Sequence, residues 1–309
     1  MNKEKSSLLY SAIICLGLIL LVLWIFFDAA FGKPAPKKQR EISVILYSVG
    51  TNGWESFQEG VKQAEKDFWV NINTVILRVE ADAEEQFEIM KREVENGAEA
   101  LVIAVNDYEK LYQKILSDPI SVPIVTVESG LNDVMSFVSA DNYEMGKRLG
   151  EEILKDFSGK KDLTIALSDE ACMRDSVEKR KEGFLDAVQG KAKIISLRAA
   201  ENGVRADAAV ALQKETLQKL TDTTRFSLKK TKYYGIGNTP SIVAALDQGK
   251  IEKLVFQNEF NMGYLAIKRV LEELDGIQNK DMEQIDFYCI SSEELYDTQY
   301  ERLLFPIVE

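Results

Sequence analysis

Short apolar runs rich in Val and Ile recur along the chain, and amphipathic helix patterns separate them. A first series covers residues 42–47, 74–79, 100–105 and 124–127, and a second covers residues 163–167, 194–197, 208–212, 233–236 and 254–257. Nearly continuous apolar runs are typical of parallel strands covered on both faces, and strand-helix alternation is typical of a doubly wound sheet. The sequence therefore predicts an α/β fold with two doubly wound lobes, each built on a parallel sheet.

The stretch from Val138 to Phe157 lies between the two series. Asp141 is placed to cap a helix that begins after it, with Glu144 three positions later as its reciprocal partner. A capped helix that packs small residues on a sheet is the simpler explanation of the same pattern. Because of its position between two similar series, we interpret the stretch as a crossover between two lobes.

Composition excludes several classes of function. The chain has 309 residues and a net charge of −12, which argues against a nucleic-acid partner because phosphate binding needs clustered Lys and Arg. It has no histidine, so His-based nucleophile pairs and His-containing zinc sites are absent. Its cysteines, Cys15, Cys172 and Cys289, form no metal spacing and do not indicate a disulfide framework. No metal or other cofactor is predicted.

The segment from Leu8 to Phe27 has no charged residue and predicts a transmembrane anchor. Twenty helical residues span about 30 Å, the thickness of a hydrocarbon core. A cleaved signal peptide is the alternative, although residues 30–32 fit a cleavage site only loosely. Residues 32–40 form a polar tether with two prolines. Basic residues in this tether would, by the positive-inside rule, favour a cytoplasmic domain, so other observations have to decide the orientation.

Polar residues follow the predicted strands at the end where doubly wound sheets bind ligands. They lie at positions 48–54, 106–107, 128–129, 168–174, 213, 237–238 and 257–258. Such a set suits hydrogen bonding to a small polar molecule between lobes. For each residue, a solvated turn or a helix cap is the alternative, and Trp54 could equally pack in the core.

Several motifs together resemble the type I periplasmic binding proteins, the family of ribose- and galactose-binding proteins. They are NGWESFQEGV at 52–61, GAEALVIAVND at 97–107, DNYEMG at 141–146, RKEGFLDAV at 180–188, GIGNTPSIVAALDQGKI at 235–251 and VFQNEFNMGYLAI at 255–267. The resemblance covers residues 41–309. It implies an extracytoplasmic location and two lobes joined by three crossovers, with residues 41–138 and 259–284 in the first lobe and residues 139–258 and 285–309 in the second.

The resemblance also implies roles for individual residues. Trp54 matches an aromatic that stacks on a sugar ring, Asp107 a carboxylate that holds hydroxyls, and Gln257 an amide donor beside the hinge. The full set of candidate ligand-binding residues is Trp54, Asp107, Glu128, Asn142, Arg180, Gln213, Asn238 and Gln257.

Three positions depart from the sugar-binding pattern. Glu178 stands where ribose binders place a ligand arginine, Gly237 replaces an aspartate, and Gln213 replaces the usual asparagine. Arg180 keeps the arginine of its motif, for which structural pairing is the alternative role. Loss of a cation and a carboxylate changes the hydroxyl patterns that can be satisfied, so we do not expect free ribose to be the ligand.

A further departure lies between Leu197 and Ala208. Parallel strands need a crossover of a dozen or more residues, usually with a helix, but only about ten residues separate these two runs. Either the crossover helix is lost, which we favour, or residues 205–220 form it and a strand is missing. In both cases the second lobe would be abridged by one element.

These features predict an extracytoplasmic, membrane-anchored protein that closes two lobes on a small polar, carbohydrate-like ligand, without catalysis. Its partner would be an ABC transporter permease or a membrane sensor kinase. The alternative is an interaction module that has lost its ligand. An enzyme is third: Asp107 and Glu128 could form an acid/base pair, but the sequence offers no nucleophile, metal cluster or phosphate loop.

Overall fold

The computed structural model describes residues 16–24, 27, 38–49, 53–78, 82–131, 135–168, 173–222, 230–277 and 282–305. Residues 1–39 and 40–309 form two separate units. In the first unit, residues 16–24 form helix α1. No helix within the described residues is long and apolar enough to cross a membrane. Half of the predicted anchor, Leu8–Phe27, lies outside the described residues.

The second unit contains two six-stranded sheets. The first sheet consists of β1 (Glu41–Leu46), β2 (Asn71–Ile76), β3 (Ala100–Ala104), β4 (Ile124–Val127), β5 (Phe137–Ser139) and β11 (Met282–Gln284), in the order β11-β5-β4-β3-β1-β2. All its strand pairs are parallel. Its helices are α2 (Glu55–Phe68), α3 (Ala83–Glu95), α4 (Tyr108–Ser117) and α10 (Glu259–Leu274). We call this sheet with its helices the first lobe.

The second lobe repeats this plan. Its sheet consists of β6 (Thr164–Leu167), β7 (Lys193–Ser196), β8 (Ala208–Ala211), β9 (Lys232–Ile236), β10 (Lys253–Gln257) and β12 (Phe287–Ile290), in the order β12-β10-β9-β8-β6-β7. Among the strand pairs of this sheet that the structure describes, all are parallel except β12 with β10, which is antiparallel. Its helices are α5 (Asn142–Asp156), α6 (Asp175–Val188), α7 (Leu197–Glu201), α8 (Lys214–Asp222), α9 (Pro240–Asp247) and α11 (Thr298–Leu304).

The prediction of a two-lobed α/β fold with parallel sheets is confirmed. The central strands β3, β4 and β8 are buried along their whole length, which is why their sequences are apolar on both faces. The predicted helix cap is also present, because the Asp141 carboxylate accepts a hydrogen bond from the Glu144 backbone N–H at 3.0 Å.

The chain passes between the lobes three times. It leaves the first sheet after Ser139, returns between Gln257 and Glu259, and leaves again between Gln284 and Phe287. Helix α10 packs on helix α2 and on strands of the first sheet, whereas helix α5 packs on helix α6. Residues at the ends of β4, β5 and β10 therefore lie beside these connections.

The expectation that the second lobe lacks one element is wrong. Strand β8 is present, and the crossover between β7 and β8 keeps a helix, α7, of five residues. The equivalent helix of the first lobe, α3, has 13 residues. The eleven residues from 197 to 207 are enough for a short helix because Ser196 caps it by accepting from the Ala199 N–H.

Glycines allow one helix pair in the second lobe to approach closely. A Cβ atom added at Gly146 of α5 would lie 1.8 Å from the Arg180 carbonyl oxygen of α6, and one added at Gly183 would lie 2.0 Å from the Tyr143 oxygen. Only glycine fits these two positions. The close approach holds the N-terminal half of α6, which carries Arg180, against the start of α5.

Candidate functional site

The candidate site lies where strands of both sheets end. Glu128 follows β4 and Asn142 begins α5 after β5, while Gln213 follows β8 and Gln257 ends β10. The carboxyl ends of parallel strands carry the ligand sites of such sheets. All four of these side chains are buried, so these polar residues lie inside the protein.

Glu128 and Arg180 form the centre of the site. Arg180 Nη2 lies 2.9 Å from Glu128 Oε1, and Arg180 Nε donates to Asn142 Oδ1 at 2.7 Å. The Tyr47 hydroxyl donates to the other Glu128 oxygen. The Glu128 backbone has φ of 65°, in the left-handed region that non-glycine residues rarely adopt. The surrounding hydrogen bonds hold this carboxylate in place despite an unfavourable backbone conformation.

Electrostatics keep Glu128 ionised. Burial raises the pKa of its carboxyl, but the nearby cations Arg180, Lys214 and Arg174 outweigh burial and lower the pKa to about 2. Burial is also the main reason why the pKa of Tyr47 is raised well above its ordinary value. Tyr47 therefore stays protonated and can donate its hydrogen bond to the carboxylate.

A second group surrounds Lys214, the first residue of α8. Its ammonium nitrogen lies 4.1 Å from the centroid of the Trp54 ring, 2.8 Å from the Gly53 carbonyl oxygen and 2.9 Å from Glu259 Oε1. The Asn238 amide, oriented with its nitrogen toward Glu259, donates to Oε1 at 3.1 Å. Burial raises the pKa of Glu259, and Lys214 opposes this effect.

A third group surrounds Arg174, which precedes α6. Its guanidinium carbon lies 4.3 Å from the centroid of the Tyr47 ring. The same guanidinium donates to Gln213 Oε1 at 2.7 Å and pairs with Glu215 at 2.9 Å. Gln213 in turn donates to the Thr216 hydroxyl at 2.9 Å. Arg174 thus links the second lobe to an aromatic ring of the first.

We call Glu128, Glu259, Arg174, Arg180, Lys214 and Glu215 the interlobe charge cluster. Glu128 and Glu259 belong to the first lobe, and the three cations belong to the second. Three cations balance three carboxylates, which offsets the cost of placing charges in a largely buried region. Two ion pairs of this cluster, Arg180–Glu128 and Lys214–Glu259, therefore join the two lobes.

Two acceptor atoms in this region lack a hydrogen-bond partner among the described residues. They are Gln257 Oε1 and Glu215 Oε2. Gln257 directs its nitrogen toward Glu128 Oε1 at 3.5 Å, which leaves its oxygen without a donor. A buried acceptor without a partner is unfavourable in a native protein and marks a place where a donor group could bind.

The structure brings most of the predicted residues together. Glu128, Asn142, Arg180 and Gln257 form the central group, and the remaining predicted residues Trp54, Asn238 and Gln213 join the Lys214 and Arg174 groups. Asp107 has a different place: it caps α4 by accepting from the Lys110 N–H and pairs with the Lys110 ammonium at 3.0 Å. Asp107 therefore has the helix-cap role that the sequence left open as the alternative to ligand binding.

The structure shows the surroundings of two positions that depart from the sugar-binding pattern, Glu178 and Gly237. Glu178 is exposed on α6. Gly237 has φ of 146°, and a Cβ atom there would lie 2.7 Å from Lys214 Cβ. An aspartate at position 237 would therefore collide with Lys214, so the glycine makes room for the lysine.

The sequence patterns did not predict five residues of the site, namely Tyr47, Arg174, Lys214, Glu215 and Glu259. Arg174 lies within a predicted strand-end range, 168–174, and Tyr47 lies within a predicted strand, 42–47. Lys214 and Glu259 each follow a predicted polar strand end by one or two positions. The signal that could have predicted Lys214 and Glu259 is the presence of a charged residue directly after the end of a parallel strand.

Comparison with known proteins identifies the fold. The sequence profile described as "Periplasmic binding protein domain" matches residues 42–224. No curated protein sequence matches the chain significantly. A carbohydrate transporter solute binding protein from Agrobacterium radiobacter, solved in complex with D-arabinose, is 21% identical, with a TM-score of 0.75 over 87% of this chain and 100% of that one. A glucose-galactose binding protein from Geobacillus stearothermophilus is 18% identical, with a TM-score of 0.71 over 84% and 100%.

Proposed function

Because the chain belongs to the family of periplasmic binding protein domains, we propose that it binds a small polar, sugar-like solute between its two lobes. The proposal assigns the protein no catalytic step. Proteins of similar fold were solved with D-arabinose, or are described as binding glucose and galactose. These ligands support a hydroxylated solute here.

The observation that carries the proposal is a pair of buried acceptors without a hydrogen-bond partner among the described residues, one at the end of β10 and one at the start of α8. Gln257 Oε1 and Glu215 Oε2 need hydrogen-bond donors, and hydroxyl or ammonium groups of a solute would supply them. Donors and acceptors from both lobes surround this region. A solute bound here would contact both lobes and favour their closed arrangement.

We also propose that the protein is tethered outside the cytoplasm. Residues 8–27 would span the membrane, residues 32–40 would form the tether, and residues 41–309 would face outward. The solute would be delivered to an ABC transporter permease or reported to a sensor kinase. A large folded domain can be translocated despite basic residues next to the membrane span.

A thermal-shift screen on the full-length chain in a mild non-ionic detergent tests solute binding. A ligand that binds only the folded state stabilises it by about 2.7 kcal/mol at a hundredfold excess over Kd. We expect at least one sugar, polyol or amino compound to raise the melting temperature, and Trp54→Ala and Gln257→Ala each to abolish the rise. Trp69→Ala is a matched control, because Trp69 is 53% exposed. A rise that survives both site substitutions would place the ligand elsewhere.

The charge cluster also favours a second candidate function, an interaction module without a solute. Arg180, Lys214 and Glu128 already have protein partners on nearly every polar atom. A cleft closed by its own charges could present a fixed surface to a membrane partner. If no compound of the screen raises the melting temperature, this candidate replaces solute binding.

A further inference from the structure

The Lys214 ammonium occupies a site made for a cation. Three groups surround it: the face of Trp54, the Gly53 carbonyl oxygen and the Glu259 carboxylate. Tryptophan offers the strongest cation–π attraction of the aromatic residues. A carboxylate and a carbonyl oxygen accept hydrogen bonds and donate none. We call Trp54, Gly53 and Glu259 the ammonium cage.

The cage and the cation come from different lobes. Trp54 and Gly53 follow β1, and Glu259 begins α10, so the whole cage belongs to the first lobe. Lys214 begins α8 of the second lobe. If the lobes separate, Lys214 leaves with the second lobe, and the first lobe presents an empty cage that contains a carboxylate in need of a counter-charge.

A neutral solute that displaced the Lys214 ammonium would leave the cage unbalanced. The Glu259 side chain is 5% exposed, and a buried carboxylate without a cation is strongly unfavourable. A hydroxyl group could donate to Gly53 or Glu259, but it would not supply the missing positive charge. A solute that carries an ammonium group would supply the charge, the donors and the contact with the Trp54 face.

A glycine beside the cage accommodates the first atoms of the Lys214 side chain. Gly237 leaves room for the Lys214 side chain, because any Cβ at this position would lie 2.7 Å from Lys214 Cβ. The cage has space for an ammonium group because Lys214 already places one there. The rest of the solute would lie toward Gln257 and Glu215, whose unpartnered oxygens need donors.

We propose that the natural solute carries a primary ammonium group, as an amino sugar does, and that this group takes the place of the Lys214 ammonium in the cage. The inference rests on the proposed function, since it names the chemical class of the solute bound between the lobes. Lys214 would therefore compete with the solute for the cage. Its ammonium group occupies the cage when the lobes are in contact without a solute, and it leaves the cage when the solute binds.

Matched sugar pairs test the inference on the full-length wild-type chain. D-galactosamine is compared with D-galactose, and D-glucosamine with D-glucose and N-acetyl-D-glucosamine, which keeps the nitrogen but not the charge. We expect the amino sugars to raise the melting temperature at concentrations at least tenfold lower than their neutral counterparts. If the neutral sugars act at equal or lower concentrations, the inference is overturned while solute binding stands.

A substitution at Lys214 tests the cage directly. In Lys214→Ala the cage lacks its cation, and we expect added n-butylamine, protonated at pH 7, to raise the melting temperature in a saturable way. n-Butanol should give no saturable rise, and n-butylamine should have no such effect on Lys214→Ala/Trp54→Ala. If Lys214→Ala does not fold, Lys214→Gln serves instead, with methylamine as the probe. Absence of any rise with either amine, together with no response to any sugar, overturns both the cage and solute binding.

Discussion

Arg180 of the second lobe and Glu128 of the first form an ion pair of 2.9 Å in which each side chain is only 4% exposed. Removal of one partner leaves the other charge buried and unpaired. We predict that Arg180→Ala lowers the free energy of unfolding by about 3–5 kcal/mol, measured by chemical denaturation.

An exposed pair provides the control for that measurement. Arg40 pairs with Glu99 at 2.8 Å, but the Arg40 side chain is 44% exposed. Arg40→Ala should therefore cost less than about 1 kcal/mol. Equal losses for the two arginine substitutions would contradict the central role of Arg180.

Glu128 should also make the protein sensitive to acid. Its pKa is lowered from 4.5 to about 2 on folding, so its contribution is present above about pH 4.5 and is lost as the pH falls toward 2. The shift corresponds to about 3 kcal/mol. The pKa of Glu259 is raised on folding, so this residue has the opposite effect. Its contribution to the free energy of unfolding is lost as the pH rises through its folded pKa.

We therefore predict that the free energy of unfolding falls more steeply between pH 5 and pH 3 in the wild type than in Glu128→Gln. Glu152 is present in both proteins. Burial raises its pKa, but Lys155 and Lys253 lower it to about 2, and its contribution cancels in the comparison. Parallel pH profiles would show that the charge of Glu128 is not what stabilises the site.

The close contact between α5 and α6 predicts a strong effect of one methyl group. In Gly146→Ala the new Cβ would lie 1.8 Å from the Arg180 carbonyl oxygen, so the helices must separate, at a cost of about 1–3 kcal/mol or more. In the control Gly130→Ala the nearest atoms lie at 3.7 Å. We expect that control to change the free energy of unfolding by less than about 1 kcal/mol.

Because helix α7 is short, we predict that the backbone amides of the edge strands β2 and β7 are protected from hydrogen exchange to different extents. Strand β2 pairs with β1 over six residues, and the crossover that follows it contains the 13-residue helix α3. Strand β7 pairs with β6 over four residues, and the following helix has five. Amide hydrogen exchange should therefore be faster in β7 than in β2. The reverse order would mean that the shortened crossover does not weaken its edge.

If the proposed anchor spans the membrane, residues 41–309 should be accessible to protease from outside the cell. If Leu8–Phe27 spans the membrane with residues 41–309 outside, the full-length chain should sediment with membranes. Protease added to intact cells after removal of the wall should digest the domain. Digestion that occurs only after the membrane is breached would reverse the proposed topology.

The sequence predicted most accurately the strands that are buried on both faces. β3, β4 and β8 stand out because every residue is buried. The run predicted at 74–79 is displaced relative to β2 (Asn71–Ile76), because much of this edge strand is exposed and carries polar residues. β11, with the sequence MEQ, is too short and polar to give a periodic signal.

Partners in the candidate site were harder to predict than its location. Strand ends predicted the positions of Glu128, Gln213 and Gln257, because the carboxyl ends of parallel strands share one edge, whereas Arg180 lies within α6 and was named from a motif. The pairing of Lys214 with Trp54 joins residues 160 positions apart on different lobes. Such a pair depends on how the lobes close, which local sequence patterns do not contain.

The three passages of the chain between the lobes also bear on biosynthesis. Strand β5, at Phe137, pairs with β11, at Met282, and helix α10 packs on α2, so the first lobe needs residues from near the end of the chain. While the ribosome is still making the second lobe, the first has neither its sixth strand nor the helix that covers α2. Long-range pairings of this kind slow folding. The nascent chain therefore stays incompletely folded until almost all of it has emerged, which lengthens the period in which chaperones can bind it.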